Sequence, residues 1–188
     1  DLTMHEANHV FLEGTGSMVL DRENKIAYAC LSPRTDKRLL QEFCDKMGYR
    51  AISFMAFDSA SQPIYHTNVM MCVADAYAVI CLDSIRDQTE KETILNTMSQ
   101  TGKQVIGISF EQMNCFAGNL LQVHNAQGQK FLVMSSQAYN SLTPQQIQTI
   151  EHFNPVMHSD LTTIETNGGG SARCMMAEVF LPLLSAIS

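Results

Sequence analysis

Short apolar runs and polar hinges succeed one another in the same order three times along the chain. Residues 18–20 and 26–31 read as strands, followed by the polar hinge Ser32-Pro33-Arg34-Thr35. Leu39, Leu40, Phe43 and Met47 then recur at helical spacing, Gly48 closes that pattern, and residues 51–57 return to a strand-like run. In the second round residues 69–73 and 77–82 are the strands and residues 83–87 the polar hinge. Thr93, Ile94, Leu95 and Met98 form a helical face ending at Gly102, and residues 105–110 read as a further strand. The third round runs from residues 120–123 through the turn Asn125-Ala126-Gln127-Gly128 to residues 131–134. Its helix starts at Thr143-Pro144: Thr143 can cap, Pro144 suits the first helical position, and Gln146 completes a capping box.

The intervals are regular. Cys30 and Cys81 lie 51 residues apart, and Gly16, Thr67 and Gly118 succeed one another at the same interval. A fourth unit begins at Gly168-Gly169-Gly170 and stops after one apolar segment, residues 175–184. The pattern predicts strand–strand–helix–strand modules, repeated about three and a half times. No low-complexity linker interrupts them, so residues 1–188 read as a single domain.

Composition narrows the class. With 45% hydrophobic and 16% charged residues, the chain can bury a core and is not of the disordered type. A net charge of −7 and a pI of 5.2 speak against nucleic acid and anionic membranes as partners. No apolar stretch approaches the ~20 residues of a membrane span. Six cysteines without a CxxC pair, in a chain that needs no cross-links, read as reduced thiols and predict a cytoplasmic setting.

Reactive residue types gather where modules start. Glu13 lies in Leu12-Glu13-Gly14-Thr15-Gly16, His66 in Tyr65-His66-Thr67-Asn68, Asn119 after Gly118, and Cys174 in Gly168-Gly169-Gly170-Ser171-Ala172-Arg173-Cys174. If the modules surround a pseudo-symmetry axis, these positions converge into a nucleophile, a base and an orienting acid. Arg173 and the amides of the Gly-rich turn would favour a Cys174 thiolate. Cys30, Cys72 and Cys81 read instead as buried apolar residues. The methionine pairs and the charge run over residues 83–92 read as core filler and a solvated helix start. His5-Glu6-Ala7-Asn8-His9 fits the zinc-protease signature H-E-x-x-H, but it runs at once into a strand-and-turn pattern, so no metal site is expected there.

Five ordered motifs carry a resemblance over almost the whole chain. FLEGTGSMVLDR (11–22), SPRTD (32–36), YHTNVMM (65–71), CFAGNLLQV (115–123) and GGGSARCMMAE (168–178) resemble the guanidino-group-modifying, or pentein, superfamily. It includes arginine deiminases, dimethylarginine dimethylaminohydrolases and glycine amidinotransferases, and the nearest branch resembles the amidinotransferase-like citrulline-utilisation hydrolases. The resemblance implies an α+β fold, a five-bladed pseudo-symmetric α/β propeller of ββαβ modules with the site in its central channel. It implies hydrolysis of a C–N bond of a citrulline- or arginine-like amino acid by covalent cysteine catalysis, without metal or cofactor. Cys174 would be the thiolate, His66 the proton carrier, and Glu13 the group that orients His66 and holds substrate nitrogens. Arg34 and Arg173 would hold an α-carboxylate, and Asn68, Asn119, Gly170 and Ser171 would complete the substrate site. The partner is then a small-molecule amino acid; a homo-oligomer is compatible with this reading.

Two departures matter. The family usually has H-x-D where this chain has Asn68, and an amide suits a neutral ureido group better than a cation, which tilts the expectation toward citrulline. The family also has a further N-terminal module with another substrate-binding acid. Amidino transfer to an amine is the alternative reaction. A non-catalytic pentein, as in a ribosome-binding translation factor, is the alternative class; it predicts no Cys, His and Glu at module starts, where all three are present. At 51 residues a module, 188 residues hold roughly 3.7 modules of an expected five, and the chain opens on Asp1. The expectation is a C-terminal portion of a longer protein that folds poorly alone.

Overall fold

The computed structural model describes residues 2–180. Three three-stranded sheets follow one another, each built the same way. In the first, β1 (Val19–Asp21) lies antiparallel to β2 (Ile26–Cys30), and α2 (Lys37–Met47) carries the chain over to β3 (Arg50–Phe54), parallel to β2. A single turn, α1 (Gly14–Ser17), leads into β1. The second module repeats the plan with α3 (Thr67–Met70), β4 (Met71–Val73), β5 (Tyr77–Ile80), α4 (Gln88–Gln100) and β6 (Gln104–Gly107). The third has β7 (Leu121–His124), β8 (Lys130–Ser135), α7 (Pro144–Glu151) and β9 (Val156–Ser159). Two short helices, α5 (Phe110–Asn114) and α6 (Ser136–Ser141), flank that third sheet, and α8 (Thr162–Gly168) follows it.

Local chemistry explains the helix ends. Asp36 accepts hydrogen bonds from the Arg38 and Leu39 amides at the start of α2, and Gly48 ends it at φ 70°. Asp87 caps α4, and the Thr143–Gln146 capping box with Pro144 forms as the sequence predicts. Register places the middle strands inside: Tyr28 stands between Val19 and Ile52, Val79 between Cys72 and Ile106. Every residue of β2 and β5 is buried, as a strand covered on both faces requires. One core runs through all three sheets, with Tyr28, Tyr77, Phe54, Met70, Met71 and Leu132 fully enclosed. Burial of each such Leu, Met or Phe contributes about 1.5–3 kcal/mol.

Modules also meet through polar latches. Lys103 binds Asp21 of the preceding module at 3.2 Å and donates to the Ala74 and Asp75 carbonyls, with both side chains almost wholly buried. Asn154, 51 residues on, accepts from Tyr77 of the preceding module and from Gln122. The inner strands β1, β4 and β7 are thereby neighbours in turn.

Several boundaries differ from the sequence pattern. The run 69–73 divides into a helical turn and a three-residue strand, and residues 105–110 end as a strand at Gly107 because Ser109 and Gln112 form a capping box for α5. The strand at 51–57 stops at Phe54, three residues short of the pattern. In the apolar segment 175–184, residues 176–180 carry no regular element, and residues 181–184 lie outside the described ones. His5 and His9 belong to a 3-10 turn (Thr3–Asn8) that His9 ends in the left-handed region, and His5 lies 3.4 Å from Glu42. Among the described residues no cluster of His, Cys, Asp and Glu could hold a metal ion. No helix among them is long and apolar enough to cross a membrane.

Candidate active site

Four single turns bring the reactive residues together, each placed just before an inner strand or at the corresponding point after the third module. Glu13 and His66 stand immediately before α1 and α3; Asn119 follows a turn over residues 115–118; Cys174 lies in a 3-10 turn, Ala172–Met175. Side chains lock each turn to the next. The buried Thr67 hydroxyl donates to the Ser17 carbonyl at 2.5 Å and accepts from the Cys30 amide at 2.8 Å. Gly118 packs directly on the backbone of Val69 and Met70, where any Cβ would collide. Asn119 Nδ2 donates to the Asn68 carbonyl at 2.9 Å and to Cys174 Sγ at 3.2 Å, while its Oδ1 accepts from the Arg173 amide at 3.1 Å.

Around His66 a second group forms. Its Nε2 lies 2.7 Å from Glu13 Oε2, and Arg34 Nη1 lies 3.5 Å from the same oxygen. Ser17 ties the two loops: its hydroxyl accepts from the Glu13 amide and donates to the Arg34 carbonyl. Gly16 leaves the space that the imidazole fills, since a Cβ there would stand 2.9 Å from three ring atoms. The Tyr65 ring flanks both His66 and the Arg34 guanidinium, its centroid 4.9 Å from the imidazole and 5.3 Å from the Arg34 carbon.

Cys174 differs from the buried cysteines in chemistry as well as position. It is exposed and its sulfur faces two amide N–H groups, Asn119 at 3.2 Å and Asn68 at 3.8 Å, the donors that suit a sulfur anion. Burial pushes the Cys30 thiol up to about 11 and the Cys72 thiol to about 12, and raises Cys44 and Cys81 in the same way. Those four thiols stay protonated at neutral pH and are poor nucleophiles.

The structure thus brings Glu13, His66 and Arg34 together, and Cys174, Asn119 and Asn68 together. Helix α3 joins the two groups, with His66 at its cap and Asn68 in its turn; among the described residues no hydrogen bond links His66 directly to Cys174. Asn68 Oδ1 is buried without a partner among the described residues. Two expected substrate-binding side chains are committed elsewhere. The Arg173 guanidinium donates to the Met176 carbonyl and pairs with Glu178, each at 3.1 Å, and Ser171 is fully buried with its hydroxyl on Glu165 at 2.6 Å. Gly170 lies against Cys174, leaving 3.0 Å to its Cβ and 3.2 Å to its sulfur for any added carbon. A cavity of about 170 Å³ runs along β1, β4 and β7, lined also by Asn68, Arg173, Arg22 and Glu178. Ser17 and Glu165 were not singled out by the sequence pattern. Ser17 was findable, because Ser17, Asn68 and Asn119 stand at the 51-residue interval.

The family model described as N,N dimethylarginine dimethylhydrolase, eukaryotic, matches residues 1–181. No curated protein sequence matches the chain. Among solved structures, the N-terminal domain of ArgZ, an arginine dihydrolase of cyanobacteria, bound to substrate, superposes with a TM-score of 0.67 at 17% identity, over 86% of this chain and 54% of that one. AgrE in a ternary complex with ornithine and NAD+ gives 0.70 at 19% identity, over 93% of this chain and 24% of that one. Agmatine deiminase of C. jejuni gives 0.51 at 12% identity, over 87% and 54%. The chain spans about half of the ArgZ N-terminal domain and 23% of the whole ArgZ chain. At these identities the likeness is one of fold.

Proposed function

Because the chain belongs to the eukaryotic N,N dimethylarginine dimethylhydrolase family, we propose that it carries the catalytic residues of a hydrolase for the C–N bond of a guanidino or ureido amino acid. The observation that supports this most is one exposed thiol facing the amides of two module-start residues, Asn119 at 3.2 Å and Asn68 at 3.8 Å, with His66 at the head of the same turn as Asn68. In this reading the Cys174 thiolate attacks the central carbon of the substrate group, forming a C–S bond and a tetrahedral intermediate. His66, protonated, gives its proton to the departing nitrogen, and the C–N bond breaks to release ammonia or an amine. Neutral His66 then takes a proton from water as the oxygen adds to the same carbon. Collapse breaks the C–S bond and returns the thiolate. Glu13, 2.7 Å from Nε2, orients the ring for both proton transfers.

Arg34, beside Glu13 and half-exposed, is the side chain we assign to a substrate carboxylate. Asn68 offers a donor toward Cys174 and a buried acceptor with no partner among the described residues, a pairing that suits a neutral ureido group. We read the three modules as consecutive blades of a five-module propeller within one catalytic domain, with β1, β4 and β7 lining its channel; six free cysteines suit a cytoplasmic setting. The test is ammonia release from citrulline, arginine and methylated arginines by the full-length protein. Cys174→Ser is expected to abolish it with the fold intact. Turnover of arginine but not citrulline would sink the ureido preference, product formation only with an added amine acceptor would replace hydrolysis by transfer, and an active Cys174→Ser protein would remove the nucleophile.

A further inference from the structure

The turn that presents Cys174 is tied to a buried acid. Glu165, in α8, is 6% exposed, and no salt bridge reaches it among the described residues. Its Oε1 accepts from the Ser171 hydroxyl at 2.6 Å, and its Oε2 is buried without a partner there. An unsatisfied buried oxygen costs about 1–3 kcal/mol, more for a charge, so a carboxylate kept in such a place calls for a reason. Its backbone joins in. The Glu165 carbonyl accepts from the Gly169 amide at 3.2 Å, where Gly169 ends α8 at φ 67°. Glu165 therefore holds both ends of the segment 169–171, one through its carbonyl and one through its side chain. Ser171, fully buried, then closes the next turn through its backbone carbonyl, which accepts from the Cys174 amide at 3.0 Å.

We infer that Glu165 is a positioning residue for the nucleophile. It fixes Ser171, and Ser171 fixes the turn that sets the Cys174 sulfur against Asn119. The inference rests on the reading of Cys174 as nucleophile and adds to it the group that holds the sulfur in place. An O–H···O bond of this length to a carboxylate is among the stronger hydrogen bonds, and its loss frees a turn whose sulfur must stay placed to within about 1 Å.

The test compares Glu165→Ala, Glu165→Gln, Ser171→Ala and the double variant Glu165→Ala/Ser171→Ala in the full-length protein. Three quantities are read: the iodoacetamide alkylation rate of Cys174 against pH by peptide mass spectrometry, kcat and KM for whichever substrate the panel identifies, and the thermal midpoint. Glu165→Ala and Ser171→Ala are each expected to lower the alkylation rate and kcat about 10- to 100-fold with KM unchanged. Glu165→Gln retains an oxygen that accepts from Ser171 and is expected to stay within about threefold of wild type. The double variant is expected to be no worse than the poorer single one, because both act through one bond. Wild-type alkylation and kcat in Glu165→Ala would overturn the inference, whether or not its midpoint falls; so would additive losses in the double variant. Turnover surviving in Cys174→Ser strikes the nucleophile reading instead, and leaves the alkylation rates as the separate measure of whether Glu165 sets the sulfur.

Discussion

Gly16 and Gly118 show how one absent carbon serves different ends. Neither has a left-handed backbone, so alanine is conformationally allowed at both. At Gly16 the added Cβ meets the His66 ring, a side chain that can swing aside. Gly16→Ala is therefore expected to leave stability within about 1 kcal/mol of wild type while turnover falls about 10- to 100-fold through displacement of the imidazole. At Gly118 the carbon meets backbone of Val69 and Met70, which cannot swing, so Gly118→Ala is expected to cost about 1–3 kcal/mol or more of stability. Paired thermal unfolding and steady-state assays separate the two. His66→Ala removes the proposed proton carrier and is expected to lower kcat about 10²- to 10⁴-fold, and Glu13→Gln to lower it with the fold kept, since the amide still reaches Nε2 without the charge. The candidate residues Cys174, His66 and Glu13 were legible because each stands at a module start. The commitments of Ser171 to Glu165 and of Arg173 to Glu178 were not, since both side chains share the cysteine's motif and only packing says which way each goes.

Among the elements, α7 was readable because its capping box, Thr143 with Gln146, is written at its start. The N-cap of α2 is the tertiary structure's finding: partial burial pushes the Asp36 carboxyl up, but the Arg38 and Leu39 amides outweigh it and hold it below its ordinary 3.8. The folded state therefore favours the carboxylate. Its contribution is present above pH 3.8 and is lost as pH falls through the lowered value. Asp36→Ala is expected to cost about 1 kcal/mol at neutral pH, with the difference from wild type shrinking in acid, as urea unfolding at several pH values would show. The turns α1 and α3 escaped the pattern because four residues are barely one helical repeat. Strand β9 escaped it because Val156–Ser159 is mostly exposed and carries no alternation.

The whole molecule depends on contacts between modules. Lys103 lies in one module and Asp21 in the one before it, and the pair is almost wholly buried. Lys103→Met leaves Asp21 charged and enclosed with Asn24 as its remaining donor, and is expected to cost about 3–5 kcal/mol by denaturant unfolding. Adding Asp21→Asn should recover part of that loss. Alkaline pH tests the core: thiols raised by burial from 9.0 to about 11 at Cys30 and about 12 at Cys72 stay protonated when folded but ionise when unfolded. Stability is then expected to fall as pH rises above 9.0, and these two cysteines to resist alkylation until the protein unfolds. The sequence by itself determined the strand–strand–helix–strand period, the Thr143–Gln146 capping box and the Cys, His and Glu at the module starts. Spacing and capping act over a few residues, and a repeat displays them several times. Only the tertiary structure decided that His66 fills the space beside Gly16, that Asn119 joins Asn68 to Cys174, and that Lys103 reaches Asp21. Each of these is a meeting of residues about 50 or more apart, set by how one module seats on the next.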